Sequence, residues 1–235
     1  WQIAEGKMDT MPADFSRSVP VPGLVDMAMP SFVAPGPVVA KRDAIPQKDP
    51  HRDAFWYRRT FTVEGPIPET ATLKVAKAMF GTRVFLNGQL LGDHVPCWTP
   101  GFFNAKRALK SGPNEVVIRV GADRDAIGRA YPDGFDFEKA RYIPGIFDSV
   151  SLTLSGTPRL ENVQVAPDIA GQQAKVRVYL DGSRATGVEV EIREAKSGKV
   201  AGQSTATADA GVKELDVTVP VADCHRWSPE DPFLY

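Results

Sequence analysis

Cysteine is scarce in this sequence, with two residues among 235, Cys97 and Cys224, in opposite halves of the chain. Two cysteines cannot form a framework of several disulfides, and they are too few for a metal site built on thiolates. The three histidines, His51, His94 and His225, are too dispersed in the sequence to propose a metal site. The sequence therefore predicts neither a disulfide scaffold nor a bound metal.

Excess charge and long apolar runs are also missing. The formal net charge of −1 gives no electrostatic reason to expect nucleic acid or an anionic membrane as a partner. No apolar run approaches the ~20 residues that span a bilayer, and the first residues lack the pattern of a signal peptide. Glycine-rich phosphate-binding loops and the G-x-S-x-G motif are absent, so no cofactor and no α/β-hydrolase chemistry are predicted.

Short segments of strand character make up most of the sequence, and its 20 prolines and 20 glycines are spread between them. Apolar and polar residues alternate in several segments, as in half-buried β-strands. One helical turn is predicted between Asn104 and Lys110. The fold class is therefore all-β. The predicted strands are 55–63, 72–77, 84–86, 89–92, 115–120, 149–154, 160–165, 175–180, 188–194, 200–206 and 213–219.

The strongest local signal is Asn87-Gly88 between two apolar runs. A two-residue type I′ turn requires positive φ at both central positions, and asparagine and glycine tolerate this best. The sequence therefore predicts an antiparallel hairpin that pairs residues 84–86 with residues 89–92.

Three stretches divide the chain. Residues 1–50 are rich in proline and predict an irregular arm wrapped around a β-domain. Residues 121–144 form a long polar connection of the kind that is functional or mobile in a compact domain. A boundary is predicted near Ser155–Pro158, and turn signals beyond it recur at the spacing of a β-sandwich. We therefore expect two all-β domains, residues 1–156 and 157–235.

Several short blocks also follow one another in a familiar order. They are VPG at 21–23, WYRRTF at 56–61, FLNG at 85–88, LGDH at 91–94, TPGF at 99–102, NEV at 114–116, IPGIFDSV at 143–150 and WSPEDPFLY at 227–235. In order and spacing the chain resembles the N-terminal half of glycoside hydrolase family 2, which includes β-galactosidases, β-glucuronidases and β-mannosidases. The block at 143–150 is the most specific of them.

This resemblance implies an N-terminal jelly-roll (galactose-binding-like) β-sandwich over residues 1–156 and an immunoglobulin-like β-sandwich over residues 157–235. In the family, a (β/α)₈ barrel follows and carries two catalytic glutamates. Such a barrel alone needs ~200 residues or more, and no strand–helix alternation occurs in this sequence. We therefore expect the catalytic pair to be absent from this chain, and the chain alone to be inactive.

The two ends of the sequence lead to a further expectation. In the family, the block at 227–235 leads into the closing strands of the immunoglobulin-like domain. Trp1–Ile3 resembles the middle of an opening strand. We therefore expect a fragment of a larger enzyme whose second sandwich is incomplete at its C-terminal end. The unpaired strand edge that this would expose predicts self-association into a homo-oligomer.

Four residues are candidates for contact with sugar. In some β-galactosidases, the region before the Gly-Ile-Phe block lends an acidic residue to the sugar pocket, and Asp133 and Asp136 lie there; the alternative is a solvated loop with an Asp-Gly turn. His94 and Trp98 lie after the hairpin, in a loop that approaches the active site in the family. Trp98 can stack on a pyranose ring, and the alternative is that Trp98 and Phe102 are packing residues.

Three functions are compatible with these observations. The leading interpretation is the non-catalytic N-terminal region of a retaining β-glycosidase, which scaffolds its catalytic barrel and contributes loops to a pocket for β-glycosides. The alternatives are a freestanding carbohydrate-binding protein and a structural interaction module, because jelly rolls serve many functions. The resemblance slightly favours a periplasmic or secreted location over a cytoplasmic one.

Overall fold

The computed structural model describes residues 1–32, 52–132 and 143–235. These residues form an all-β structure with two short 3₁₀ helices, Val25–Met27 and Arg124–Ala126, so the predicted fold class is confirmed. The described part of the chain contains no helix long and apolar enough to cross a membrane. The structure divides into two compact units, Trp1–Leu154 and Ser155–Tyr235.

The first unit is built from three sheets. A six-stranded sheet has the order β2-β1-β4-β9-β6-β7, a three-stranded sheet has the order β11-β5-β8, and β10 pairs with β3. The strands are β1 (Gln2–Gly6), β2 (Arg17–Ser18), β3 (Gly23–Leu24), β4 (Ala54–Val63), β5 (Thr70–Val75), β6 (Thr82–Leu86), β7 (Gln89–His94), β8 (Gly101–Asn104), β9 (Gly112–Gly121), β10 (Gly145–Ile146) and β11 (Val150–Ser155).

The main core of this unit lies between the sheets, because alternate residues of each strand point inwards. Tyr57 and Ile118 of the large sheet, Leu73 and Phe103 of the three-stranded sheet and Ile146 of β10 are all buried in this one cluster. A second, smaller cluster covers the other face of the large sheet, where the segment after β1 packs. The apolar faces of the predicted strands therefore account for the layered structure.

The hairpin at Asn87–Gly88 is confirmed. Leu86 pairs with Gln89, which leaves a two-residue loop, and both loop residues have positive φ, 50° at Asn87 and 77° at Gly88. The two-residue loop with positive φ at both positions is the geometry of a type I′ turn, the type that the Asn-Gly pair predicts.

A buried asparagine holds this turn in place. Asn114 is 3% exposed, and its Oδ1 accepts hydrogen bonds from Asn87 Nδ2 at 2.7 Å and from the Lys110 backbone N–H at 2.9 Å. Its Nδ2 donates to the carbonyl oxygens of Lys110 and Gly112 at 2.8 and 2.9 Å. Asn87 in turn accepts from the Glu115 N–H at 2.9 Å. The side chain of Asn114 thus joins the hairpin to the start of β9.

The second unit consists of two small sheets around a core of its own. One sheet has the order β12-β13-β16 and the other pairs β14 with β15. Val176, Val178, Val217 and Val219 are buried at the centre of this core. The strands are β12 (Leu160–Asp168), β13 (Gln173–Leu180), β14 (Thr186–Arg193), β15 (Val200–Ala208) and β16 (Glu214–Pro220).

The structure departs from the sequence-based expectation at the N terminus and after the hairpin. Residues 1–50 were expected to be irregular, but β1, β2 and β3 form there, and β1 pairs along its whole length with β4. The predicted helical turn is a single hydrogen-bonded turn, in which the Leu109 N–H donates to the Ala105 carbonyl at 2.9 Å. The preceding residues form β8, because they pair with β5 at the edge of a sheet.

Candidate functional site

The loop that follows the hairpin is held by its own polar contacts. His94, the last residue of β7, places Nε2 at 2.8 Å from the Thr99 carbonyl oxygen and at 3.2 Å from Thr99 Oγ1. Gly101 lies beneath the imidazole, since a Cβ at this position would be 2.8 Å from His94 Cβ. The His94 ring thus closes the loop that carries Trp98. Thr99 and Gly101 both restrict the position of this ring.

Trp98 packs against an aromatic side chain from a distant part of the sequence. Its ring centroid lies 5.3 Å from that of Phe147, with an interplanar angle of 56°. Trp98 is 42% exposed, whereas Phe147 is half-buried. The structure therefore brings the loop after the hairpin together with the block at 143–150, the two segments that the sequence analysis singled out separately.

An apolar floor supports this aromatic pair. Met79, Phe80, Cys97 and Ile127 are buried together, and Phe147 packs against them. The floor forms where four chain segments converge. Met79 and Gly145 exchange two backbone hydrogen bonds of 3.0 Å, and Phe80 and Gly121 exchange two of 3.3 and 3.1 Å. We call Trp98, Phe147 and this floor the aromatic platform.

One ion pair lies beside the platform. Lys77 Nζ is 3.2 Å from an Asp148 carboxylate oxygen, and Asp148 directly follows Phe147. The pKa of Asp148 is lowered, first by the hydrogen bond from the Ser149 backbone N–H and then by Lys77. This carboxylate is therefore ionised at neutral pH and engaged by a cation, which makes it a poor proton donor in general acid catalysis.

A second ion pair joins the two strands of the hairpin, β6 and β7, on the face of the large sheet that points away from the main core. The Arg83 guanidinium donates to both carboxylate oxygens of Asp93, at 2.7 and 2.9 Å. This hydrogen bonding is the largest cause of the lowered pKa of Asp93. Because the folded pKa is lowered, the pair stabilises the fold above the ordinary carboxyl pKa and loses this contribution as the pH falls through the folded pKa.

We therefore expect Asp93→Asn to lower the urea midpoint of the first unit slightly at pH 6, and this difference to shrink as the pH falls below about 4. The effect is small because the pair is partly exposed to solvent. Urea unfolding of both proteins between pH 2.5 and pH 6 measures it. A difference that is independent of pH would contradict this role of Asp93.

The predicted site residues have different outcomes. Trp98 lies in the loop between β7 and β8 and has an exposed face, whereas His94, expected in the same loop, is the last residue of β7. Phe102, expected to pack if Trp98 packs, is exposed instead, with Lys74 Nζ 5.6 Å from its ring centroid. Asp133 and Asp136 lie outside the described residues. In the part that the structure describes, no group of three or more His, Cys, Asp or Glu side chains is arranged to hold a metal.

Sequence reasoning did not identify the partner of Trp98. The alternation of apolar residues on strands predicts that Phe147 is a core residue on a strand. The structure instead ends β10 at Ile146, so that Phe147 lies in the loop beyond it and packs against the floor. The Gly-Ile-Phe block draws attention to Phe147. The block does not, however, predict that Phe147 contacts Trp98.

Comparisons with known proteins agree with this structure. Residues 159–235 match the family model of glycosyl hydrolases family 2. No curated protein sequence matches the chain significantly.

Among solved structures, a calcium-binding mutant of β-glucuronidase 2 from Bacteroides uniformis aligns with a TM-score of 0.58 and 24% identity, over 83% of this chain and 25% of that one. β-D-mannosidase from Dictyoglomus thermophilum aligns with a TM-score of 0.55 and 19% identity, over 72% and 24% of the two chains. β-Glucuronidase from Ruminococcus gnavus aligns with a TM-score of 0.58 and 18% identity, over 78% and 32%.

At these identities the likeness concerns the fold, and this chain spans about a quarter to a third of the length of those structures. The match of residues 159–235 to the family model adds evidence from sequence. Residues 159–235 are thus similar in sequence to glycosyl hydrolases family 2, and the chain shares its fold with parts of the solved structures named above.

Proposed function

We propose that this chain is the non-catalytic N-terminal region of a family 2 β-glycosidase, in which it scaffolds a catalytic barrel and contributes loops to the rim of a pocket for β-glycosides. In this proposal the first unit is a jelly-roll domain of the sugar-binding type and the second an immunoglobulin-like domain. The observation that carries the proposal is the aromatic platform, with Trp98 exposed above Phe147.

The geometry of the platform suits a sugar. The apolar face of a pyranose ring matches the plane of an indole. We assign this contact about 1 kcal/mol beyond its buried area, the value for a stacked pair of aromatic rings. Trp98 is held for such a contact by Phe147 below it and by the loop that His94 closes through Thr99. A preformed contact surface reduces the entropy lost on binding.

In this proposal, the catalytic barrel and not this chain cleaves the glycosidic bond. A retaining glycosidase needs two carboxyl groups about 5 Å apart, one as acid/base and one as nucleophile. Next to the platform, Asp148 is ionised and paired with Lys77. We assign both catalytic groups to the barrel, and to Asp133 or Asp136 an auxiliary contact with the sugar.

A freestanding carbohydrate-binding protein is the second candidate, and the exposure of Trp98 in this chain alone favours it. The two candidates differ in the affinity that they predict. A loop that only completes the rim of a larger pocket binds sugar weakly when alone, whereas an independent binding site holds it without further help.

The test is a calorimetric titration of the chain with methyl β-glucuronide, β-galactoside and β-mannoside. We expect millimolar binding of at least one sugar, weakened about fivefold in Trp98→Ala, because a stacked contact of about 1 kcal/mol is lost. Trp227→Ala is the matched control, since Trp227 is exposed in the second unit and should leave binding unchanged.

Two results would contradict the proposal. Equal binding by wild type and Trp98→Ala would remove the platform from the sugar site. Hydrolysis of chromogenic β-glycosides that co-purifies with the chain would contradict its non-catalytic role. Micromolar affinity without hydrolysis would instead support the freestanding binding protein.

A further inference from the structure

Two arginines lie side by side on the outer face of the large sheet, the face that points away from the main core. Arg83 of β6 pairs directly with Arg119 of β9, and on its other side Arg83 pairs with Asp93 of β7. Directly paired residues of antiparallel strands point to the same face, and like charges in such a pair repel each other. These three residues therefore carry one excess positive charge.

The carboxylate of Asp93 is bonded to only one of the two arginines. Arg83 Nε and Nη2 donate to its two oxygens at 2.7 and 2.9 Å. Among the described residues Arg119 has no acidic partner within salt-bridge distance, and its Nη1 donates to the Met8 carbonyl at 3.0 Å. Because a guanidinium stays protonated at neutral pH, Arg119 is a cation without an anion bonded to it.

The surroundings of Arg119 make this charge costly. Arg119 is 9% exposed, and its Nε is buried and donates to no atom of the described residues. The pKa of Arg119 is lowered, first by burial and then by the charge of Arg83. A buried donor of a charged group that lacks an acceptor is destabilising. An anionic acceptor would satisfy this donor and also offset the repulsion between the two arginines.

The cluster is closed on one side and open on the other. The segment after β1 reaches β9 from the β4 side, where the Met8 carbonyl accepts the hydrogen bond from Arg119. On the hairpin side, the side chains of Arg83 and Asp93 are 35% and 43% exposed. A small molecule can therefore approach the two arginines from the side of β6 and β7.

An aromatic ring lies next to the arginines on the same face. Phe85 is two residues after Arg83, so both side chains leave β6 on the same side. The Phe85 ring is half-buried and stacks with Trp56, with 6.0 Å between the ring centroids. The guanidinium groups are thus bordered by a fixed and partly exposed apolar surface.

We propose that Arg83 and Arg119 bind the carboxylate of a small organic anion whose flat apolar part lies on Phe85. The planar fork of a guanidinium group matches the two oxygens of a carboxylate. One carboxylate brings the cluster with Asp93 to neutrality, whereas a doubly charged anion would leave an excess negative charge. The site is independent of the aromatic platform and of the sugar binding proposed for it.

The test is a titration of the full 235-residue chain with sodium benzoate, followed through the arginine Nε–H signals in ¹H–¹⁵N spectra. We expect the Arg119 signal to shift and to saturate at millimolar benzoate, because its Nε gains an acceptor. Acetate should bind at least threefold more weakly, since it has no ring to cover Phe85. Sodium chloride at the same ionic strength, which screens charges equally, should give no saturating shift.

Arg177 in the second unit provides an internal control in the same spectra. Its Nε and Nη2 donate to the two oxygens of Asp216 at 2.8 and 2.9 Å, as those of Arg83 do to Asp93. Its direct partners on the neighbouring strands are Gln164 and Asp216, so no second arginine is paired with it. The Arg177 signal should therefore not respond to benzoate.

Two variants with opposite expected effects locate the site, with affinity for benzoate measured by calorimetry. Arg119→Met keeps an apolar chain of similar length and removes the donors, so it should weaken binding at least tenfold. Asp93→Asn removes the competing carboxylate and should tighten binding at least threefold. Arg177→Met should leave the affinity unchanged. Urea unfolding checks that each variant folds, and a general loss of structure cannot explain tighter binding.

Three outcomes would overturn the proposal. In the first, benzoate shifts the Arg119 signal no more than the Arg177 signal. In the second, Asp93→Asn weakens the binding of benzoate or leaves it unchanged. In the third, sulfate binds as tightly as benzoate, which would show that the arginines attract anions in general and do not select a carboxylate with an apolar part.

Discussion

Asn114→Ala is expected to destabilise the first unit by roughly 3–5 kcal/mol, the largest effect that we predict for a single substitution. The side chain of Asn114 takes part in four hydrogen bonds, to Asn87, to Lys110 twice and to Gly112. Because Asn114 is buried, removing its side chain leaves these partners without a hydrogen bond, and water does not take its place. The free energy of unfolding, measured in urea by circular dichroism, tests this expectation.

Asn104→Ala is the matched control for this prediction. Asn104 is an exposed asparagine whose Oδ1 accepts one hydrogen bond, from the Lys106 backbone N–H at 3.0 Å. Its removal should cost about 1 kcal/mol or less. If the two variants lost similar stability, the network around Asn114 would not hold the hairpin, and the link between the Asn87–Gly88 turn and β9 would have to be revised.

The second large effect is expected at Gly145, in the block at 143–150. A methyl group at this position would lie 2.5 Å from the Gly23 carbonyl oxygen and 2.8 Å from Leu24 Cα. Both contacts are with backbone, so neither can be relieved by a side-chain rotation. We expect Gly145→Ala to lower the free energy of unfolding of the first unit by about 3 kcal/mol. It should also displace Phe147 and weaken the sugar binding that we propose for the aromatic platform.

Gly128→Ala provides the comparison in the same unit. A methyl group there meets no atom within 4 Å, and its backbone does not require glycine. This substitution should be neutral or slightly stabilising, because alanine restricts the unfolded chain. Urea unfolding of both variants decides between the two expectations. Equal midpoints would mean that β3 and β10 can separate without cost.

Local signals in the sequence were sufficient for most strands of the fold. β4, β6, β7 and β9 fall where aromatic, β-branched and alternating residues predict them, since both the strand propensity and the Asn87–Gly88 turn act over a few residues. β8 was not predicted, and β1 was indicated only by the resemblance of Trp1–Ile3 to an opening strand, within an arm expected to be irregular. β1 is a strand because β4 pairs with it, and this partner begins about 50 residues later in the chain. Propensity over a short window does not contain that information.

The candidate site was predictable only in part, for a similar reason. The exposed Trp98 could be proposed from its loop, because the loop follows a recognisable hairpin. Its contact with Phe147 depends on the pairing of Met79 with Gly145, which joins distant segments.

The pairing of β3 with β10 also bears on the order in which the first unit folds. The two strands lie about 120 residues apart in the chain, whereas β6 and β7 are separated by two residues. Closing a long loop costs entropy before its contacts are gained, so non-local pairs form slowly. A folding intermediate can therefore contain the hairpin and still lack the floor beneath Trp98. The aromatic platform would be among the last parts of the first unit to become ordered.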